Sequence, residues 1–152
     1  VAVRRQRQMC IRDSQNTAAI VRLRACLNLN MHLIEPCGFN LNDNRFKRVA
    51  MDYVGLSKII RHNGFEAFLK KYKKSRIVLM TTKAKKYYHK FKFKKNDMLL
   101  FGRESAGVPE EIHRMLRNKI KSPMNKKTRS LNVAMSVAIV ASEALRQNNL
   151  LK

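Results

Sequence analysis

Two polar turns carry the residues best suited to chemistry. One reads Phe101-Gly102-Arg103-Glu104-Ser105-Ala106-Gly107-Val108-Pro109 and directly follows the apolar run Met98 to Phe101. The other runs from Lys119 to Asn132, then continues into a stretch rich in Ala and Val that carries no charge until Glu143. Ser130 and Asn132 stand where that loop becomes a helix, and both are good helix-capping residues. A helix N-terminus presents free backbone N–H groups and suits a polar or anionic ligand. By itself the stretch is equally an ordinary capped core helix. What points to a binding site is the pair: loops bearing Gly or Pro at strand C-termini are how an α/β fold builds a ligand crevice.

The elements that must position these turns alternate between strand and helix. Gln15 to Leu29 reads as a helix, with Asn16 and Thr17 as caps and Ile20, Leu23 and Leu27 on one face. Arg22 and Arg24 cannot both share that face. Met31 to Ile34 is a short strand, Glu35 to Phe39 a turn, Asp43 to Met51 a helix, and Leu56 to Ile60 a short strand. Glu66 to Lys74 reads as a basic helix. Arg76 to Thr81 is the clearest strand, because a continuous Ile-Val-Leu-Met run predicts burial on both faces. The Met98 strand follows, then a helix opened by Pro109-Glu110-Glu111, which places acids in its first turn. A short strand near Lys119 and the long C-terminal helix, Leu131 to Arg146, complete the order. The expectation is an α/β fold, a mostly parallel sheet flanked by helices.

Composition narrows the partner. The chain has 152 residues, enough for one domain with a real core, and a net charge of +23. A single domain this basic is expected to meet a polyanion, nucleic acid first and an anionic membrane surface second. No apolar run is long enough to span a bilayer. Cys10, Cys26 and Cys37 lack the paired spacing of a zinc site, and His32, His62, His89 and His113 are scattered, so no metal is expected and the thiols read as reduced and cytoplasmic. Lys70 to Lys95 holds twelve Lys and Arg and no acid, with Tyr72, Tyr87, Tyr88, Phe91 and Phe93 interleaved. Such a stretch either contacts RNA, through phosphates and stacked bases, or is a solvated lysine face whose aromatics turn inward.

Taken in order, these motifs resemble the SPOUT superfamily of RNA methyltransferases, and within it the small bacterial tRNA (cytidine/uridine-34-2′-O)-methyltransferases. The resemblance covers Gln15 to about Gln147. It rests on Asn16-Thr17-Ala18-Ala19-Ile20-Val21-Arg22, on the Phe101–Pro109 turn, and on Ser122-Pro123-Met124 followed by Arg129-Ser130-Leu131-Asn132. Ile34 to Phe39 and Met51-Asp52-Tyr53 look like the subfamily. The resemblance implies a C-terminal trefoil knot, S-adenosylmethionine as methyl donor, the tRNA anticodon region as substrate, a homodimer, and no metal. It places the cofactor against Met80, Thr81, Gly102, Ser122, Pro123, Met124, Ser130 and Leu131. It makes Arg22 the catalytic arginine, with Asn16, Glu104, Ser130 and Asn132 as the remaining polar motif positions. A guanidinium stays protonated, so Arg22 is better read as holding RNA phosphate and stabilising charge than as a base. Methyl transfer is then a direct displacement by the ribose 2′-oxygen, driven chiefly by positioning.

Two departures stand out. Family members open with a short apolar strand, and here Arg4 to Ser14 occupy its place, so residues 1–14 are expected to be a foreign or disordered segment preceding a single domain over 15–152. Ala18 and Ala19 stand where Gly-Asn is commoner, and Ser122 where an apolar residue is usual. A non-catalytic basic RNA-binding protein and an inactive family member remain the competing readings.

Overall fold

A sheet of seven strands in the order β3-β2-β1-β6-β4-β7-β5 runs through the molecule, every pairing parallel. The computed structural model describes residues 2–5, 11–35, 44, 48, 59–102 and 107–150. In chain order these give β1 (Ala2–Arg5), α1 (Ile11–Cys26), β2 (Met31–Ile34), β3 (Ile59–His62), α2 (Phe65–Lys71), β4 (Ile77–Met80) and β5 (Lys86–Tyr87). A 3₁₀ turn (Tyr88–Lys90), β6 (Met98–Phe101), α3 (Glu110–Met115), β7 (Asn118–Lys121) and α4 (Val133–Gln147) follow. Parallel neighbours need crossovers: α1 carries the chain from β1 to β2, whereas β4 reaches its neighbour β6 by way of β5 and the 3₁₀ turn.

The side chains sort into two layers by the alternation of each strand. Leu99 and Phe101 of β6, Val78 of β4 and Ile120 of β7 join Ile20 and Val21 of α1 and Val137, Val140 and Ala141 of α4 on one face. Met98 and Leu100, Ile77 and Leu79 join Phe65 and Phe68 of α2 and Ile112 of α3 on the other. Strands buried on both faces read as unbroken apolar runs, which is why β4 and β6 were legible from sequence.

The structure corrects several expectations. The first strand, expected to be lost, is present: β1 pairs with β2 on one side and β6 on the other, inside the sheet. Only a backbone with both edges free to pair can fill that slot, and the short Ala-Val run suffices for it. Helix α1 begins at Ile11, four residues before the expected Gln15, so Asn16 and Thr17 lie inside it, buried, and are not caps. Of the expected Leu56–Ile60 strand, Ile59 and Ile60 lie in β3, which continues to His62, and residues 56–58 lie outside the described residues. Phe91 and Phe93 are core residues while Tyr87 is exposed. The turn after Glu35, all but Asn44 and Arg48 of the Asp43–Met51 helix, Met51-Asp52-Tyr53, Cys10 and Cys37 lie outside the described residues. Asn44 and Arg48 are helical, and Cys26 is an exposed free thiol.

Two polar clusters stabilise the frame. Asp97, just before β6, accepts from Arg76 Nε and Nη2 at 2.6 Å each and from the Lys94 backbone N–H at 2.8 Å. Its side chain is 3% exposed, so removing it strands a partly buried guanidinium. Asp97→Ala is expected to cost about 3 kcal/mol, a fall of roughly 10 °C in melting temperature by calorimetry.

The second cluster is the pair His32 and His62, on adjacent strands β2 and β3. The rings stack at 5.2 Å, with His32 Nδ1 2.9 Å from His62 Nε2, walled by Phe68 and Tyr72. Burial, then the neighbouring His62 and Lys71, lowers the His32 pKa from 6.5 to about 4; burial lowers that of His62 as well. Between those two pH values the unfolded chain binds a proton that the folded chain refuses. Stability is therefore full above pH 6.5 and falls as the pH drops toward 4, by about 3 kcal/mol in all. Urea unfolding at pH 7.5, 6 and 4.5 should show midpoints decreasing in that order.

Candidate functional site

Three strand ends meet at one corner of the sheet. β4 ends at Met80, β6 at Phe101 and β7 at Lys121, and because β6-β4-β7 are neighbours their following loops emerge side by side. Together with the first turn of α4 they enclose a cleft of about 200 Å³. Its lining includes Met80, Thr81, Gly102, Ser122, Met124, Ser130 and Leu131, seven of the eight residues expected to hold a cofactor. Pro123 is exposed and lies outside the lining.

Each wall has a local cause. After β4, Thr81 donates its backbone N–H to Ile120 O at 2.9 Å, and its Oγ1 lies 3.3 Å from His113 Nε2 of α3. After β6, a Cβ on Gly102 would lie 2.4 Å from the Gly107 carbonyl carbon and 2.7 Å from Val108 N. The glycine is needed because two limbs of the same loop come into contact there. Gly107 sits at φ +62°, the left-handed region that glycine enters without strain. After β7, Asn125 builds a turn, its Oδ1 accepting from Lys127 N and its carbonyl from the Thr128 hydroxyl. That turn returns the chain to Ser130 and Leu131 on the cleft wall.

Asn132 caps α4, its Oδ1 accepting from Ala134 N at 2.9 Å and Met135 N at 3.3 Å. Its Nδ2 donates to Asn16 Oδ1 at 2.8 Å. One side chain thus fixes the start of α4 and ties it to α1 across 116 positions of sequence. Ser130, the other expected cap, is an exposed loop residue that lines the cleft. Among the cleft residues, Ser122 Oγ is buried and has no hydrogen-bond partner among the described residues.

Arg22 does not join this group. It is exposed on α1, about two turns beyond Asn16 and roughly 120° around the helix from it. Arg24 takes the opposite fate and is buried, so the two arginines do part. Glu104 lies outside the described residues. Sequence reasoning missed Thr82, Phe101, Gly107, Val108, Lys121, Val133 and Ser136 as cleft residues. Val133 and Ser136 carried a signal, since an i, i+3 pair at the start of a helix shares one face.

Residues 9–142 match the model of the SpoU rRNA Methylase family. The chain is 43% identical over 136 residues to a tRNA (cytidine(34)-2′-O)-methyltransferase of Ancylobacter novellus, covering 88% of this chain and 86% of that one. It is 36% identical over 134 residues to the protein of the same name in Escherichia coli K12, covering 87% and 85%. A solved structure from work on the 2-OH methylation of C/U34 on tRNA superposes with a TM-score of 0.89 at 34% identity, covering 97% of this chain and 95% of that one. With a matching family model over most of its length and relatives above 30% identity, the chain belongs to the SpoU methylase family.

Proposed function

We propose that this protein is a tRNA 2′-O-methyltransferase that transfers the methyl group of S-adenosylmethionine to the ribose 2′-hydroxyl of the wobble nucleotide, cytidine or uridine 34. The observation that carries the reading is the convergence of three loops and the α4 N-terminus on one cleft, in a chain whose relatives are tRNA (cytidine(34)-2′-O)-methyltransferases. The net charge of +23 supplies the attraction that a tRNA substrate needs.

The cleft fits the donor. Met80, Phe101, Met124 and Leu131 offer apolar surface. Gly102 leaves no side chain in the way, and the unpartnered Ser122 hydroxyl waits for a polar atom. When bound, S-adenosylmethionine supplies an electrophilic methyl group on a sulfonium. The chain's own residues then hold the geometry. The Asn16–Asn132 bond fixes the cleft rim, and Ser130 faces the approach of the ribose. Arg22 grips the RNA phosphate and stabilises charge on the attacking oxygen.

Arg22 is exposed and does not line its own chain's cleft, and in this reading it serves the cleft of a second copy, so the working unit is a homodimer. The knotted C-terminal threading and a cytoplasmic location belong to the same reading. Incubation with methyl-labelled S-adenosylmethionine and bulk tRNA tests it. Label in tRNA is expected; cofactor binding without transfer to any RNA would overturn the assignment.

A further inference from the structure

The chain segment that leaves the cleft comes back to its rim. Thr81 and Thr82 line the cleft, and the chain then passes through Lys83 and Lys85 into β5, the edge strand. β5 pairs with β7 so that Tyr87 stands beside Lys121. Lys121 lines the cleft, and its Nζ lies 5.1 Å from the centroid of the Tyr87 ring.

Tyr87 is 36% exposed. Its ring lies parallel to that of the exposed His89, 5.6 Å between centroids and 7° between planes, and Tyr88 meets His89 edge-on at 5.5 Å. Lys85, Lys86 and Lys90, all exposed, flank the pair along the chain, Lys86 with its Nζ 5.5 Å from the Phe91 ring centroid, and residues 82–90 contain no acid. Phe91 and Phe93, from the same basic stretch, are buried, so the lysine-rich region divides into a core-facing part and this outward one. The core does not explain an outward ring stack among lysines. Its chemistry matches a ligand with a flat π-face and flanking negative charge. A duplex keeps its bases stacked on one another, whereas a single-stranded loop leaves them free.

We propose that the Tyr87–His89 pair is a stacking platform for an unpaired nucleobase of the RNA substrate, with Lys85, Lys86 and Lys90 receiving the adjoining phosphates. The inference rests on the methyltransferase reading of the neighbouring cleft, which makes the ligand RNA.

Fluorescence anisotropy of a labelled tRNA anticodon stem–loop tests it without any turnover. The double variant Tyr87→Ala, His89→Ala should bind roughly tenfold more weakly with an unchanged salt dependence, since stacking releases no counterions. Tyr87→Phe, which keeps the ring, should bind like the wild type. Lys85→Ala with Lys86→Ala should lower the salt slope by about two. Wild-type affinity in the double alanine variant, at an unchanged melting temperature, would overturn the proposal. Loss of RNA affinity in that variant, even if the wild type transfers no methyl group to tRNA, would uphold the platform while the methyltransferase reading fell.

Discussion

Gly102→Ala should weaken S-adenosylmethionine binding by about 100-fold. An overpacked site in a dense interior costs about 1–3 kcal/mol, and the upper end applies when nothing soft can yield. Here the added methyl would meet the Gly107 carbonyl carbon at 2.4 Å, Val108 N at 2.7 Å and the Gly107 Cα at 2.8 Å, all backbone. One limb of the loop must move, and both limbs line the cleft. Gly107→Ala is the informative contrast. A Cβ there meets nothing within 4 Å, and the obstacle is only the φ of +62°, worth about 1 kcal/mol. Calorimetric titration of both variants, with melting temperatures, separates the two mechanisms. A Gly102→Ala protein with wild-type cofactor affinity would mean that the contact between the loop limbs does not shape the cleft.

Arg22→Ala should slow methyl transfer by about 10²- to 10³-fold, the range found when a preorganised charge-stabilising donor is removed. Cofactor affinity should not change, because Arg22 does not line its own cleft. Melting temperature should hardly move either, since exposed substitutions away from special features stay within about 0.5 kcal/mol. Arg22→Lys keeps the charge and loses the fork, so it should recover only part of the rate. A further readout follows from the dimer reading. Mixing Arg22→Ala with Gly102→Ala should restore activity, because one hybrid site then holds an intact arginine and an intact cleft. Wild-type turnover in Arg22→Ala would reduce it to a solvent-facing arginine of α1.

What the sequence made legible follows from how locally each feature is encoded. β4 and β6 announced themselves because burial on both faces demands an unbroken apolar run. The cleft loops were legible because strand ends in a parallel sheet carry their glycines and capping residues at fixed places, and Asn132 does cap α4. The start of α1 was misread because Asn16 has the chemistry of a cap, while its side chain is committed to Asn132 at a separation of 116 residues. No local pattern encodes such a bond. The His32–His62 pair hid for the same reason: only the β2–β3 register brings two scattered histidines to hydrogen-bonding distance. β1 was hardest, because four residues in a basic context carry little periodicity, and its neighbours in the sheet supply the pairing. The aromatics of the lysine-rich stretch could not be sorted in advance, since Tyr87 and Phe91 differ in where the edge strand turns, not in their neighbours in sequence.

Where the methyl group lands on tRNA decides whether this protein modifies the wobble ribose. Purified protein, S-adenosylmethionine and unmodified bulk tRNA should be incubated, the tRNA digested, and the modified fragment sequenced by mass spectrometry. One methyl group is expected on the ribose of nucleotide 34, on cytidine or uridine, with its loss in Arg22→Ala. A methyl group on a base, or on a ribose outside the anticodon, would contradict the wobble-ribose assignment.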